Sequence, residues 1–206
     1  MQVFEMQQGN ADWFTERIGS IGGSSIASVV AKGEGKTRKN LMYRLAGEIL
    51  SDVKYEGFKN EHMDRGIEQE SDARKRYELV TGNEVVQVGL IKQTDHKHES
   101  PDGLVGEDGK IEIKCVIPSV HIETIISDRI PSCYIKQIQW GLFICERKWC
   151  DFISYSPLVK SIPMWIKRAH RDETLIKQLD EGADKFIKEM LEIRDTITGG
   201  NNDRKN

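Results

Sequence analysis

Asp102, Glu112 and Lys114 fall within one short segment, "SPDGLVGEDGKIEIKC", residues 100–115. A turn around Gly106-Glu107-Asp108 between two β-forming runs predicts a hairpin, which sets Asp102 opposite or nearly opposite Glu112. Cross-strand Cβ atoms lie roughly 5 Å apart, so two carboxylates there repel unless a cation separates them. Glu112 and Lys114, two residues apart on a strand, share a face. Two acids and an ammonium on one face suit a hard divalent cation such as Mg²⁺, which takes few protein oxygens and leaves other positions to water and phosphate. A cation held by Asp102 and Glu112 could polarise a phosphate and lower the pKa of a bound water, with Lys114 orienting that water or neutralising charge on the phosphorane. An ordinary charged hairpin is the competing reading, because acids beside turns and lysines on strands are common. In "IEIKCVI", however, Ile111, Ile113 and Cys115 alternate with Glu112, Lys114 and Val116. If this strand is central, its charged face is buried, and buried charge needs a partner. Glu107, Asp108 and Lys110 read as turn and surface.

Two further segments could complete such a site. A helix predicted from His62 to Thr81 sets Gly66, Glu70, Ala73 and Tyr77 along a single stripe. Small residues and an aromatic pack closely on a sheet, and a glutamate in that stripe needs a partner. The plain alternative is an i,i+4 pair with Arg74 on a solvated face. Glu68 falls off the stripe. In "RIGSIGGSSIAS", glycines before a serine-rich helix start offer backbone N–H groups and hydroxyls, and Arg17 supplies a fork suited to phosphate. There the alternative is a simple helix cap by Ser24 or Ser25 beside a surface arginine.

The remaining elements must position these groups. A short helix is expected over Asp12–Arg17, a charged loop over 33–38, and a helix over "NLMYRLAGEIL". A strand is expected over "EVVQVGLIKQ", then a polar loop "TDHKHES", the hairpin, a helix over 131–145 and a strand over "WCDFISYSP". A long amphipathic helical region is expected from about 163 to 194, with 198–206 a frayed tail. The order implies an α/β fold with one mixed central sheet flanked by helices. The 206 residues suffice for a single domain, residues 1–197. Net charge is −3, so no global basic footprint marks nucleic acid. Lys and Arg nevertheless cluster in "KGEGKTRKN", "ARKRY" and "IKRAHR", and acids that hold metals lower the total. Neither a leader nor a membrane span is legible, which predicts a cytosolic location. Cys115, Cys133, Cys145 and Cys150 lack a CxxC pair and are expected as buried free thiols.

Taken in order, four motifs resemble the lambda exonuclease family, the YqaJ-type viral recombinases of the PD-(D/E)xK nuclease superfamily. "WFTERIGSIGGSS" resembles the family's Arg-x-Gly turn, and "RGIEQESDARKRYE" its Gly-x-x-x-Glu-x-x-Ala helix. "SPDGLVGEDGKIEIKC" is similar to its Ser-Pro-Asp-Gly-Leu and Glu-x-Lys-Cys core. "YIKQIQWGLFICERKWCDFISYSP" resembles its Tyr-x-x-Gln-x-Gln helix and following strand. The resemblance runs from about residue 12 to 157 and implies a restriction-endonuclease-like fold.

Carried over, it implies that Asp102 and Glu112 ligate Mg²⁺ together with the Ile113 carbonyl, two ions being expected and Mn²⁺ a substitute. Glu70 would hold metal-bound water, Lys114 would position the attacking water, and Gln137 would lie beside them. Arg17, Ser24 and Ser100 would bind a 5′-phosphate, although "GGSS" departs from a Thr-Ala-Ser at that turn and could shift one hydroxyl contact to Ser25. The implied activity is 5′→3′ digestion of one strand of linear double-stranded DNA, leaving a 3′ overhang. Implied partners are two further copies in a ring-shaped homotrimer and a single-strand annealing recombinase, in the cytoplasm of a bacterium carrying a phage or prophage. Competing readings are another nuclease of this fold, an endonuclease or one of opposite polarity, and a non-catalytic DNA-binding module. A cluster-bearing exonuclease is disfavoured because closely spaced thiols are absent.

Overall fold

Residues Gly103–Cys115 fold as the hairpin their sequence predicts, and the rest of the chain builds around it. The structure is a computed structural model that describes residues 1–31, 35–55 and 61–199, with the backbone alone over 61–68. The N-terminal part contains β1 (Gln2–Phe4), α1 (Ala11–Thr15), α2 (Gly23–Val29), α3 (Lys36–Ser51) and α4 (Glu61–Thr81). Then come β2 (Val85–Val86), β3 (Leu90–Thr94), β4 (Lys97–Glu99), β5 (Gly103–Val105) and β6 (Gly109–Cys115). Last are α5 (Pro118–Ser127), α6 (Ser132–Ile144), β7 (Trp149–Tyr155), β8 (Met164–His170) and α7 (Glu173–Thr198).

The main sheet is mixed, in the order β2-β5-β6-β7-β8, with only the β6–β7 pair parallel among the described strands. A small antiparallel sheet, β1-β3-β4, stands beside it. Helices cover both faces of the main sheet. On one face Ala73 and Tyr77 of α4 pack on Ile111, Ile113, Ile153 and Tyr155. On the other, Ile138 and Leu142 of α6 pack on Cys150 and Phe152 of β7. A third cluster joins α2, α3, α6 and α7 through Ile26, Leu45, Trp140 and Phe186. The mixed sheet flanked by helices is the architecture expected. Among the described residues no helix is long and apolar enough to cross a membrane. All four cysteines are free, but only Cys145 and Cys150 are buried as expected; Cys115 is half-buried and Cys133 exposed.

Several local expectations change. Residues 164–170 form β8, not the start of a helix, because each of its seven residues pairs antiparallel with β7. The helix begins only at Glu173, where the Asp172 carboxylate accepts from Leu175 N at 3.0 Å. "EVVQVGLIKQ" divides between the two sheets, and the division falls at Gly89, where a Cβ would collide with the backbone of Met6. The polar loop "TDHKHES" contains β4, whose Lys97, His98 and Glu99 are all buried. Gly22, not a serine, caps α2, and the hydroxyl of Ser25 donates to the Gly22 carbonyl. Helix α3 begins at Lys36, inside the expected loop, while residues 32–34 lie outside the described ones. Thr198 still belongs to α7 and Gly199 caps it; the rest of the expected tail, 200–206, lies outside the described residues, as do the Gly66 and Glu68 side chains.

Candidate active site

Strand alternation divides β6 by chemistry. Ile111 and Ile113 enter the apolar cluster under α4, and Lys110, Glu112 and Lys114 face α6. Tyr134, Gln137 and Gly141 lie at helical spacing along one stripe of α6, each against one of these charged residues. Lys114 Nζ lies 5.2 Å from the centre of the Tyr134 ring, and Gln137 Nε2 donates to Glu112 Oε1 at 2.6 Å. Gly141 has no side chain because Lys110 Nζ occupies the place of its Cβ.

Glu112 is 2% exposed, and its neighbours account for both its oxygens. Lys114 Nζ is 2.8 Å from Oε1, and Lys110 Nζ is 3.2 Å from Oε2. Lys110 also meets Glu99 Oε1 at 3.3 Å, and Glu99 Oε2 accepts from Gly23 N at 3.1 Å. Lys110 is therefore not a turn residue at the surface. It is fully buried between two carboxylates, where each charge has its counter-charge. Burial alone would push Glu112 up, but Lys114 and Lys110 outweigh it and hold the carboxyl below the ordinary range. Burial would lower Lys114, and Glu112 and Asp102 more than reverse that, so it remains an ammonium.

Asp102 stands one residue before β5, opposite Glu112 by extension of the Gly103–Ile111 register. Its Oδ2 accepts from Ile113 N at 2.6 Å, which fixes the carboxyl against the second strand. Burial raises Asp102 well above the ordinary carboxylate range, and repulsion from Glu112 and then Glu70 adds to it. Glu70 is raised too, first by burial and then by Glu112, with Arg74 opposing. Arg74 takes part from both sides: Nη2 is 2.6 Å from Glu70 Oε1, and Nε donates to the Asp102 carbonyl at 2.9 Å. The i,i+4 pair exists, then, but beside the hairpin acids and not on a remote solvated face. The structure thus brings together Glu70, Asp102, Glu112, Ile113, Lys114 and Gln137.

Among the described residues no three His, Cys, Asp or Glu side chains converge as a ready-made metal cage. The donor set is nevertheless suitable for a hard divalent cation. Asp102 and Glu112 offer carboxylate oxygens that repel one another, and a cation between them would relieve the repulsion that raises Asp102.

Beside these acids opens a cleft of about 990 Å³, lined by the cations Arg17, Arg44, Lys54 and Arg74. Ser24 and Glu70 also line it, so two of the expected phosphate residues, Arg17 and Ser24, share a cleft with one of the acids. The guanidinium of Arg17 lies 3.7 Å from the centre of the Trp13 ring. Burial lowers its pKa to about 10, which leaves it charged at neutral pH. Ser100 is one layer back, its hydroxyl accepting from Trp13 Nε1 at 3.0 Å. Two backbone groups expected to be open to phosphate are already engaged. Gly19 N donates to Glu48 and Gly23 N to Glu99, both at 3.1 Å.

A match to the YqaJ-like viral recombinase domain covers residues 12–148. The chain belongs to that family. An alkaline exonuclease, LHK-Exo, from Laribacter hongkongensis is 34% identical over 93% of this chain and 97% of its own, with a TM-score of 0.86. The same enzyme in complex with dAMP matches at 34% identity and a TM-score of 0.87, over the same shares of both chains. A phage-related exonuclease from Haemophilus somnus 129PT, 16% identical over 84% of this chain and 95% of its own, shares the fold at a TM-score of 0.61. No curated protein matches the chain. Sequence reasoning for this family member gave no role to Glu99, His98 or Trp13, read Lys110 as surface, and named Arg74 only as the i,i+4 partner of Glu70. The glycine pair Gly22-Gly23 is a local trace of His98 and Glu99, since Cβ atoms there would fall 2.6 Å from His98 Nε2 and Glu99 Oε2, as Gly141 is of Lys110.

Proposed function

We propose that this YqaJ-like protein is a metal-dependent exonuclease that digests one strand of linear duplex DNA from its 5′ end, releasing mononucleotides and leaving a 3′ overhang. The observation that carries the proposal is the face shared by Asp102, Glu112 and Lys114, with neighbouring Glu70 lining a cationic cleft. The 34% identity to an alkaline exonuclease, itself solved with a mononucleotide, supports the same reading.

Asp102 and Glu112 would hold one or two Mg²⁺ ions, or Mn²⁺, with the Ile113 carbonyl completing the set and Glu70 acting through water. A bound ion supplies Lewis acidity toward the scissile phosphate. Gln137 keeps Glu112 turned toward Lys114. Lys114, held as an ammonium by Glu112 and Asp102, orients the attacking water and balances negative charge developing on phosphorus. Arg17, Ser24 and Ser100 form the terminal-phosphate side, Arg17 directly and Ser100 through Trp13. A terminal phosphate anchored there would leave the adjacent linkage at the acids, and this sets the polarity.

Three copies in a ring around DNA would let topology supplement electrostatics in a chain of net charge −3. Membership of a viral recombinase family supports work beside a single-strand annealing protein in the cytoplasm of a bacterium carrying a phage or prophage. Light scattering of the purified protein tests the trimer. The activity test uses Mg²⁺ and DNA that is linear with 5′-phosphate, linear with 5′-hydroxyl, or closed circular. Linear DNA is degraded from its 5′ ends, and degradation of closed circles overturns the exonuclease reading. Lys114→Ala abolishes cleavage while DNA binding persists; near-normal cleavage by that variant removes Lys114 from the mechanism.

A further inference from the structure

The way Arg17 is held distinguishes it from the other buried or half-buried cations. Lys54, Lys97 and Lys110 each meet a carboxylate. The side chain of Arg17, among the described residues, donates one hydrogen bond, from Nε to His98 Nε2 at 3.0 Å. A guanidinium N–H can only donate, so His98 Nε2 is the acceptor and the ring proton sits on Nδ1. Nδ1 then donates to Ser20 Oγ at 2.7 Å, which locks this tautomer. His98 is 2% exposed, and the neighbouring Gly22 lacks a Cβ where the imidazole stands. With Trp13 stacked on its face and His98 on Nε, the guanidinium is fixed while the four N–H groups of its two terminal nitrogens donate to no described residue.

We propose that His98 is the positioning residue for the terminal phosphate: a neutral acceptor that orients Arg17 without neutralising it. An aspartate in its place would hold the guanidinium equally well, but would cancel its charge and repel a phosphate dianion. A neutral imidazole supplies geometry and leaves the charge free for the ligand. Its electrostatic surroundings suit this task. Burial, then Arg17, Lys54 and Lys92, hold the imidazole well below its ordinary pKa, so it stays an acceptor through the neutral range. The ligand this arrangement selects is a phosphate monoester at a strand end, with two terminal guanidinium nitrogens to bridge its oxygens and the Ser24 hydroxyl in the same cleft.

The inference rests on the terminal-phosphate reading of Arg17, and the experiment separates the two. Binding of a short duplex with a 5′-phosphate or a 5′-hydroxyl is measured by fluorescence anisotropy in EDTA, and cleavage of both ends is measured in Mg²⁺. The wild-type protein prefers the phosphorylated end in both. In His98→Ala that preference, taken as a ratio of the two ends, falls about tenfold or more. His98→Gln, whose amide oxygen can again accept from Arg17 Nε, recovers part of it, and thermal melting confirms that the compared variants are folded. If folded His98→Ala keeps the wild-type ratio within about twofold while Arg17→Ala loses it, or if folded His98→Gln recovers none of the preference, His98 does not position Arg17. If the wild-type protein itself shows no preference, the terminal-phosphate reading fails and the inference fails with it.

Discussion

At the scale of single residues, the candidate site holds charge that opposes folding. Asp102 shows this best, because burial, Glu112 and Glu70 all disfavour its ionised form. A carboxyl whose folded-state pKa is raised destabilises the protein above that value, and the penalty shrinks as pH falls toward the ordinary carboxylate range. Asp102→Asn removes the penalty and keeps a carbonyl oxygen for Ile113 N. The metal-free variant should therefore melt higher than the wild type at neutral pH, and the gap should close as the buffer is acidified. Each kcal/mol of relief corresponds to roughly 2–4 °C in a domain of this size. Mg²⁺ at a hundred times its dissociation constant should raise wild-type stability by about 2.7 kcal/mol, and the variant by much less. Equal shifts in both proteins would show that Asp102 does not hold the ion. The acids and Lys114 were legible because their spacing fixes their face on a strand. Lys110 was not, since a lysine following "GEDG" looks like any turn lysine until α6 closes over it.

Elements decide how accurately these residues meet, and α6 carries the largest share. Its stripe of Tyr134, Gln137 and Gly141 faces Lys114, Glu112 and Lys110 in turn. Gln139, the second glutamine of the same motif, has a different task. Its amide donates to the His170 carbonyl and accepts from Asp172 N, both at 2.8 Å, fixing the junction of β8 and α7. Gly141→Ala would place a methyl on the pinned Lys110 ammonium, which cannot swing aside without leaving Glu99 or Glu112. We expect a loss of about 1–3 kcal/mol in urea unfolding. Cleavage should fall as well, because displaced α6 carries Gln137 away from Glu112. Wild-type stability in this variant would contradict the close approach. The helices of the motifs were legible from apolar spacing and caps. Strand β8 was obscured because "MWIKRAH" runs straight into an amphipathic helix, and only pairing with β7 along its whole length makes it a strand. Strand β4 was obscured for a related reason. Its three polar residues are buried by tertiary partners that local sequence does not display: Asp180 for Lys97, Arg17 for His98 and Lys110 for Glu99.

For the whole molecule, the question is how a chain of net charge −3 engages a polyanion. Composition alone left this open, and the fold segregates several of its cations. Four cations, from α1's end, α3 and its following turn, and α4, converge on one cleft with Glu70 as the acid among its lining residues. Two kinds of cation can be told apart within that cleft. Arg17 is half-buried, oriented by Trp13 and His98, and suited to one terminal phosphate. Arg44 is a long side chain, 41% exposed and only loosely paired with Glu48 at 3.9 Å, so it contributes charge without fixed geometry. Phosphate contacts of that second kind release counterions and weaken logarithmically with salt, by about 0.9 in the slope for each phosphate neutralised. Arg44→Ala should therefore weaken metal-free DNA binding equally for phosphorylated and hydroxyl ends, and flatten the salt dependence by about one contact. Arg17→Ala should instead erase the difference between the two ends. Titrating both variants against salt with both duplexes separates the roles. An Arg44 effect confined to phosphorylated ends would assign it to the terminal pocket, whereas an Arg17 effect equal at both ends would reduce it to one more cation along the DNA path.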